Sequence, residues 1–134
     1  MNSYMEIAKN AAHSGMLANE GGPFGAVITD KQGKIIATGN NQVLKNNDPT
    51  AHAEVTAIRN ACKILNTYDL SNYVLYTSCE PCPMCLSAII WANIKEVYYG
   101  TNLKEAEDIG FRDDFIYNYI LGKNKDVLSL KQLN

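Results

Sequence analysis

Two short motifs decide what this chain can fold into: His52-Ala53-Glu54 and, well downstream, Pro81-Cys82-Pro83-Met84-Cys85. One imidazole and two thiolates form a soft-metal donor set, and a fold that uses them must bring both segments to one point. Cys82 and Cys85 stand three residues apart, so on a helix they share a face and can grip one ion. Pro83 suits the first turn of that helix, where its missing N–H is not needed. His52 falls where another helix is expected to start. Helix N-termini present unpaired N–H groups and partial positive charge, which stabilise thiolates and keep an imidazole neutral and able to ligate. The spacing therefore predicts two helix N-termini converging on one metal, with a strand between the two helices.

Three protein ligands leave the fourth zinc position open, which distinguishes catalytic from structural zinc. Glu54 then stands beside the open position as a proton carrier. Each residue also has a plainer reading. His52 could be a surface or capping residue, Glu54 a first-turn carboxylate favoured by the helix dipole, and the cysteine pair half of a closed structural site. Cys79 could close that site as a fourth ligand, or it could end the strand and pack beside the metal. Closure would leave Glu54 without a role, which favours the catalytic arrangement. Thiolate and imidazole ligands suit zinc, with iron as the alternative. Cys62 reads as a core residue of its helix, and His13 has no partner motif.

Along the chain, residues 4–17 carry Met5, Ala8, Ala12 and Met16 at helical spacing behind Ser3, a plausible cap. Gly21-Gly22-Pro23 is a break. Two β-like runs, Phe24 to Thr29 and Lys34 to Thr38, are joined by Asp30-Lys31-Gln32-Gly33 as a hairpin. Asn40 to Pro49 is polar and reads as a loop. A helix follows from about Thr50 to Leu65, with Val55, Ile58, Cys62 and Leu65 on one face. Tyr73 to Thr77 is a strand, the cysteine helix ends near Asn93, and Glu96 to Tyr99 is another strand. Asp113 or Asp114 caps a last helix with Phe115, Ile116, Tyr119 and Ile120 as its buried side. This order implies a mixed sheet with helices on both faces and parallel pairing where strands are joined through helices.

A chain of 134 residues is expected to form one domain, residues 1–134. Its net charge of −2 and scattered lysines lack the basic stripe of a nucleic-acid binder, which points to a small-molecule substrate. No apolar run is long enough to span a membrane and no signal-peptide pattern is present, so the default expectation is a cytoplasmic protein.

His-x-Glu followed by Pro-Cys-x-x-Cys is the recognised signature of zinc-dependent base deaminases, and the chain resembles the cytidine/deoxycytidylate deaminase superfamily. Four stretches resemble bacterial guanine deaminases more closely. They are Gly21 to Val27, Asn47 to Arg59, Tyr76 to Cys85 and Gly110 to Tyr117. The resemblance spans about residues 4 to 120. It implies a three-layer α/β/α fold, with a mixed sheet of about five strands covered on both faces. It implies zinc, one ion per subunit, on His52, Cys82 and Cys85, with Glu54 shuttling protons. The implied reaction is hydrolysis of guanine to xanthine and ammonia, a step of purine catabolism. The alternatives in the same superfamily are transfer-RNA adenosine and cytosine or nucleoside deamination.

By the same resemblance Asn41 would hydrogen-bond the base, and Asp113 would assist proton transfer at the substrate amine. Asp114 is its neighbouring alternative, and a helix N-cap is the plainer role. Ala53 and Phe24 would contact the substrate. Trp91 could stack on a purine, but on an apolar helix it reads as core. A homodimer is implied. Guanine deaminases of this type also carry a longer C-terminal segment, exchanged between subunits, that closes over the site. The tail from Lys123 to Asn134 does not align with it, so a more open pocket and other aminated heterocycles come into view.

Overall fold

The structure, a computed structural model, describes residues 3–102, 104–105 and 114–133. The elements run α1 (Ser3–Leu17), β1 (Gly25–Asp30), β2 (Ile35–Asn40), α2 (Val43–Asn46), α3 (Ala53–Leu65), β3 (Tyr73–Cys79), α4 (Pro83–Trp91), β4 (Glu96–Thr101) and α5 (Asp114–Ile120). The sheet order is β2-β1-β3-β4. β1 runs antiparallel to both neighbours, whereas β3 and β4, joined through α4, are parallel as expected. The described residues hold four strands, not about five. The tail at Val127, Leu128 and Leu130 lies exposed outside the sheet.

The β1–β2 hairpin follows from its turn chemistry. Asp30 Oδ1 accepts the Gln32 and Lys34 N–H groups at 2.9 and 2.8 Å, and Gly33 supplies a φ of 91°. Alternation along the strands then assigns the two faces. Tyr76, opposite Val27, stacks against Tyr98 (ring centroids 5.2 Å) and meets Tyr4 of α1 (4.9 Å). Ala26, Ile28, Ala37 and Leu75 point the other way, into a core shared with α3 and with Ile89 of α4.

Close approach sets the residues on α3. A Cβ at Gly39 would lie 2.5 Å from the Ala57 nitrogen and 2.6 Å from the Ala53 oxygen. Helix and strand touch backbone to backbone, so the inward stripe is small. It comprises Ala53, Ala57 and Ala61, while Val55, Ile58, Cys62 and Leu65 flank it half-buried. The larger apolar face expected from the sequence is therefore the shoulder of the contact, and Cys62 packs at the core's margin.

Two further expectations change. Trp91 is 84% exposed, because it ends α4 on the side turned away from the Ile89 contact. On α5, Ile116 and Tyr119 are half-buried but Phe115 and Ile120 are exposed. The polar stretch read as a loop contains the one-turn helix α2, closed by Asn47 in the left-handed conformation.

Candidate metal centre and active site

The two N-termini converge as the donor spacing requires. His52 occupies the N-cap of α3 and Cys82 the N-cap of α4, each in extended backbone (ψ 161° and 168°) with no side-chain capping bond. Ligating side chains thus stand where Ser or Asp usually caps a helix. Cys85 sits in the first turn of α4, with Pro83 at its start. His52 Nδ1 lies 3.6 Å from Cys82 Sγ, and the donor atoms of His52, Cys82 and Cys85 all fall within 4.8 Å of one another.

Tetrahedral zinc with bonds of about 2.0 Å to nitrogen and 2.3 Å to sulfur needs donors roughly 3.5 to 3.8 Å apart, so a small inward movement completes the set. Both the distances and the donor chemistry fit zinc. Cys79 ends β3, buried, in register with Thr101, and lies outside that three-residue group.

The thiols are prepared unequally. The Cys82 pKa is drawn down to about 4, chiefly by the Cys85 thiol, with His52 adding to the effect against burial. Cys85 is pushed up, first by its bond to Cys82 and then by burial and the neighbouring Glu54. Without metal, the pair holds one thiolate and one thiol. A coordinated metal deprotonates both.

Glu54, in the first turn of α3, is buried beside this group. Burial is the largest cause lifting its pKa from 4.5 to about 7, and the Cys82 thiolate adds to it. Its own backbone N–H, His52 and Thr77 pull the other way. Thr77 was not singled out by sequence. Its hydroxyl, which donates to the Cys79 carbonyl at 3.2 Å, projects from β3 onto the α3 side of the sheet. Alternation along β3 was the available signal, but it specifies only a face.

Asn41 is buried at the end of β2. Its N–H donates to the Phe24 carbonyl and its Oδ1 accepts the Val43 N–H, both at 3.0 Å. Gly21 explains the Gly-Gly break, since a side chain there would strike the Asn41 carbonyl at 2.5 Å. Phe24 is half-buried and packs on the core. Ala53 is wholly buried with its methyl in the core, so the expected substrate contact finds no exposed surface there. Asp113 lies outside the described residues. The structure thus brings His52, Glu54, Cys82 and Cys85 together, with Thr77 beside them.

The family model for the cytidine and deoxycytidylate deaminase zinc-binding region matches residues 1–101. Guanine deaminase of Bacillus subtilis (strain 168) is 56% identical over 118 residues, 88% of this chain and 75% of that protein. The X-ray structure of guanine deaminase from Bacillus subtilis superimposes with a TM-score of 0.93 at 50% identity, covering 100% of this chain and 87% of that one. A tRNA-specific adenosine deaminase of Haemophilus influenzae is 37% identical over 125 residues, 93% of this chain and 69% of that protein.

Proposed function

The chain belongs to the cytidine and deoxycytidylate deaminase family, and from that premise we propose that it is a zinc-dependent hydrolase converting guanine and water to xanthine and ammonia. The observation that carries the reaction class is a buried carboxyl with a pKa near 7, set against an imidazole and two thiols spaced for one metal. His52, Cys82 and Cys85 would hold a zinc ion, which would supply Lewis-acid activation of water near neutral pH. Glu54 takes one proton from the attacking water and passes it to the ring nitrogen beside the reacting carbon, then carries the second water proton to the departing amine. A carboxyl poised near neutrality serves both directions. Asn41 offers its amide to the base, Phe24 lines the base's approach, and Asp113 assists at the amine. The chain works as one deaminase domain.

Guanine is favoured over transfer RNA by 56% against 37% identity and by the acidic net charge. Incubating zinc-loaded protein with guanine, cytosine or transfer RNA and measuring ammonia tests this. Release from guanine alone is expected. Release from another base, with none from guanine, rejects the substrate and keeps the mechanism.

The protein also works as a homodimer on this reading. Leu86, Ile90 and Trp91 of α4, Tyr99 of β4 and Phe115 of α5 are large apolar groups that stand exposed. Sedimentation at micromolar concentration should give a dimer for the wild type and a monomer for Ile90→Asp with Trp91→Glu. A monomeric wild type would reject the assembly.

A further inference from the structure

We infer that Glu20 is a positioning residue for base recognition, clamping from both sides the segment that carries Asn41. The inference rests on the reading that Asn41 touches the base. Helix α2 has four residues, far too few to form alone, and its N-cap Gln42 makes no side-chain capping bond. Its first N–H groups are satisfied from outside. Val43 donates to Asn41 Oδ1, and Leu44 and Lys45 both donate to the Glu20 carbonyl, all three at 3.0 Å.

The Glu20 carboxylate then closes the other side. Oε1 accepts Asn40 Nδ2 at 2.8 Å, and Oε2 lies 3.4 Å from Lys45 Nζ. Asn40 in turn accepts Gln42 Nε2 at 3.1 Å and donates to the Asn41 carbonyl at 3.2 Å. Asn40, chiefly, holds the Glu20 carboxyl below its ordinary pKa, so the clamp is ionised at neutral pH. Glu20 therefore bonds the residue before Asn41 and the helix after it. The Asn41 amide, with its oxygen committed to α2, takes its orientation from where Glu20 holds that helix.

Glu20→Ala should raise KM for guanine about tenfold, as loss of a charged hydrogen bond does, with kcat and zinc content little changed. Glu20→Gln keeps an acceptor for Asn40 and should restore KM to within about threefold of wild type. Asn41→Ala should raise KM, and adding Glu20→Ala to it should raise KM no further, because both changes act through one amide. Hydrogen exchange at the Val43, Leu44 and Lys45 amides should quicken about tenfold in Glu20→Ala.

Unchanged KM in Glu20→Ala, or additive effects in the double variant, overturns the inference. Unchanged exchange overturns the carboxylate's part in the clamp, and with it the role of the side chain, and that readout needs no turnover. An Asn41→Ala enzyme with unaltered kinetics would remove the base-contact reading, and the recognition role of Glu20 with it, even where exchange quickens.

Discussion

Glu54→Gln is expected to lower kcat on guanine by about three orders of magnitude, within the range that a positioned proton carrier contributes, and to leave the zinc in place. The substitution preserves shape and a polar contact for Thr77 while removing the group that takes and returns protons. His52, Cys82 and Cys85 keep their positions at the starts of α3 and α4, so metal content should stay near one per subunit. Ammonia release and metal analysis on the same preparation check both halves. Full activity in this variant would falsify the mechanism, whereas loss of zinc along with activity would make Glu54 a structural support of the site.

The same substitution reads the carboxyl's surroundings in protein stripped of metal. Burial raises the folded-state pKa of Glu54 from 4.5 to about 7. The folded state therefore binds more protons than the unfolded state between those values. Its stabilising contribution is fully present below pH 4.5 and is lost as pH rises through 7, a change of about 3 kcal/mol. Cys82 acts in the opposite sense, since its depressed pKa adds stability as pH rises above about 4. The useful quantity is thus the difference between wild type and Glu54→Gln in denaturant unfolding from pH 4 to 8. The wild type should lose ground to the variant as pH rises through that window. A difference that does not vary with pH would mean that Glu54 is not buried as a neutral acid.

The metal donors were legible because the chemistry is local. Cys82, Pro83 and Cys85 encode a helix start and a shared face within four residues, and His52 and Glu54 do the same for α3. The strands were legible to within a residue or two for the same reason, from alternation and from the Asp30–Gly33 turn. What sequence did not disclose is non-local. α2 exists because a carbonyl from the turn after α1 caps it, and no pattern in Val43 to Asn46 announces that acceptor. The inward alanine stripe of α3 depends on Gly39 allowing backbone contact, a property of two elements rather than one. Trp91 is exposed although its residue type suits a core, because helical phase decides its side. With Ile89 inward, a residue two positions on lies on the far side of α4.

Cys85→Ala should release the zinc, abolish detectable turnover and lower the melting temperature by roughly 15 °C, whereas Cys79→Ser should keep metal and activity. Zinc that binds only the folded chain stabilises it by about 4 kcal/mol at a thousandfold excess over Kd, which in a domain of this size corresponds to a shift of that order. The contrast follows from position. Cys85 shares one face of the α4 N-terminus with Cys82, and Cys79 is held in register on β3 outside the donor group. Proton release sharpens the test. In metal-free protein at pH 7 Cys82 is already a thiolate, while Cys85 retains its proton. Zinc binding should therefore expel about one proton per ion rather than two. Calorimetry in two buffers of different ionisation enthalpy measures that number, and the Glu54→Gln background removes the contribution of the neighbouring carboxyl. Two protons released would mean that the pair does not share a proton before the metal arrives. Zinc lost from Cys79→Ser would mean that the site is closed by four protein ligands, and a closed site has no open position for water beside Glu54.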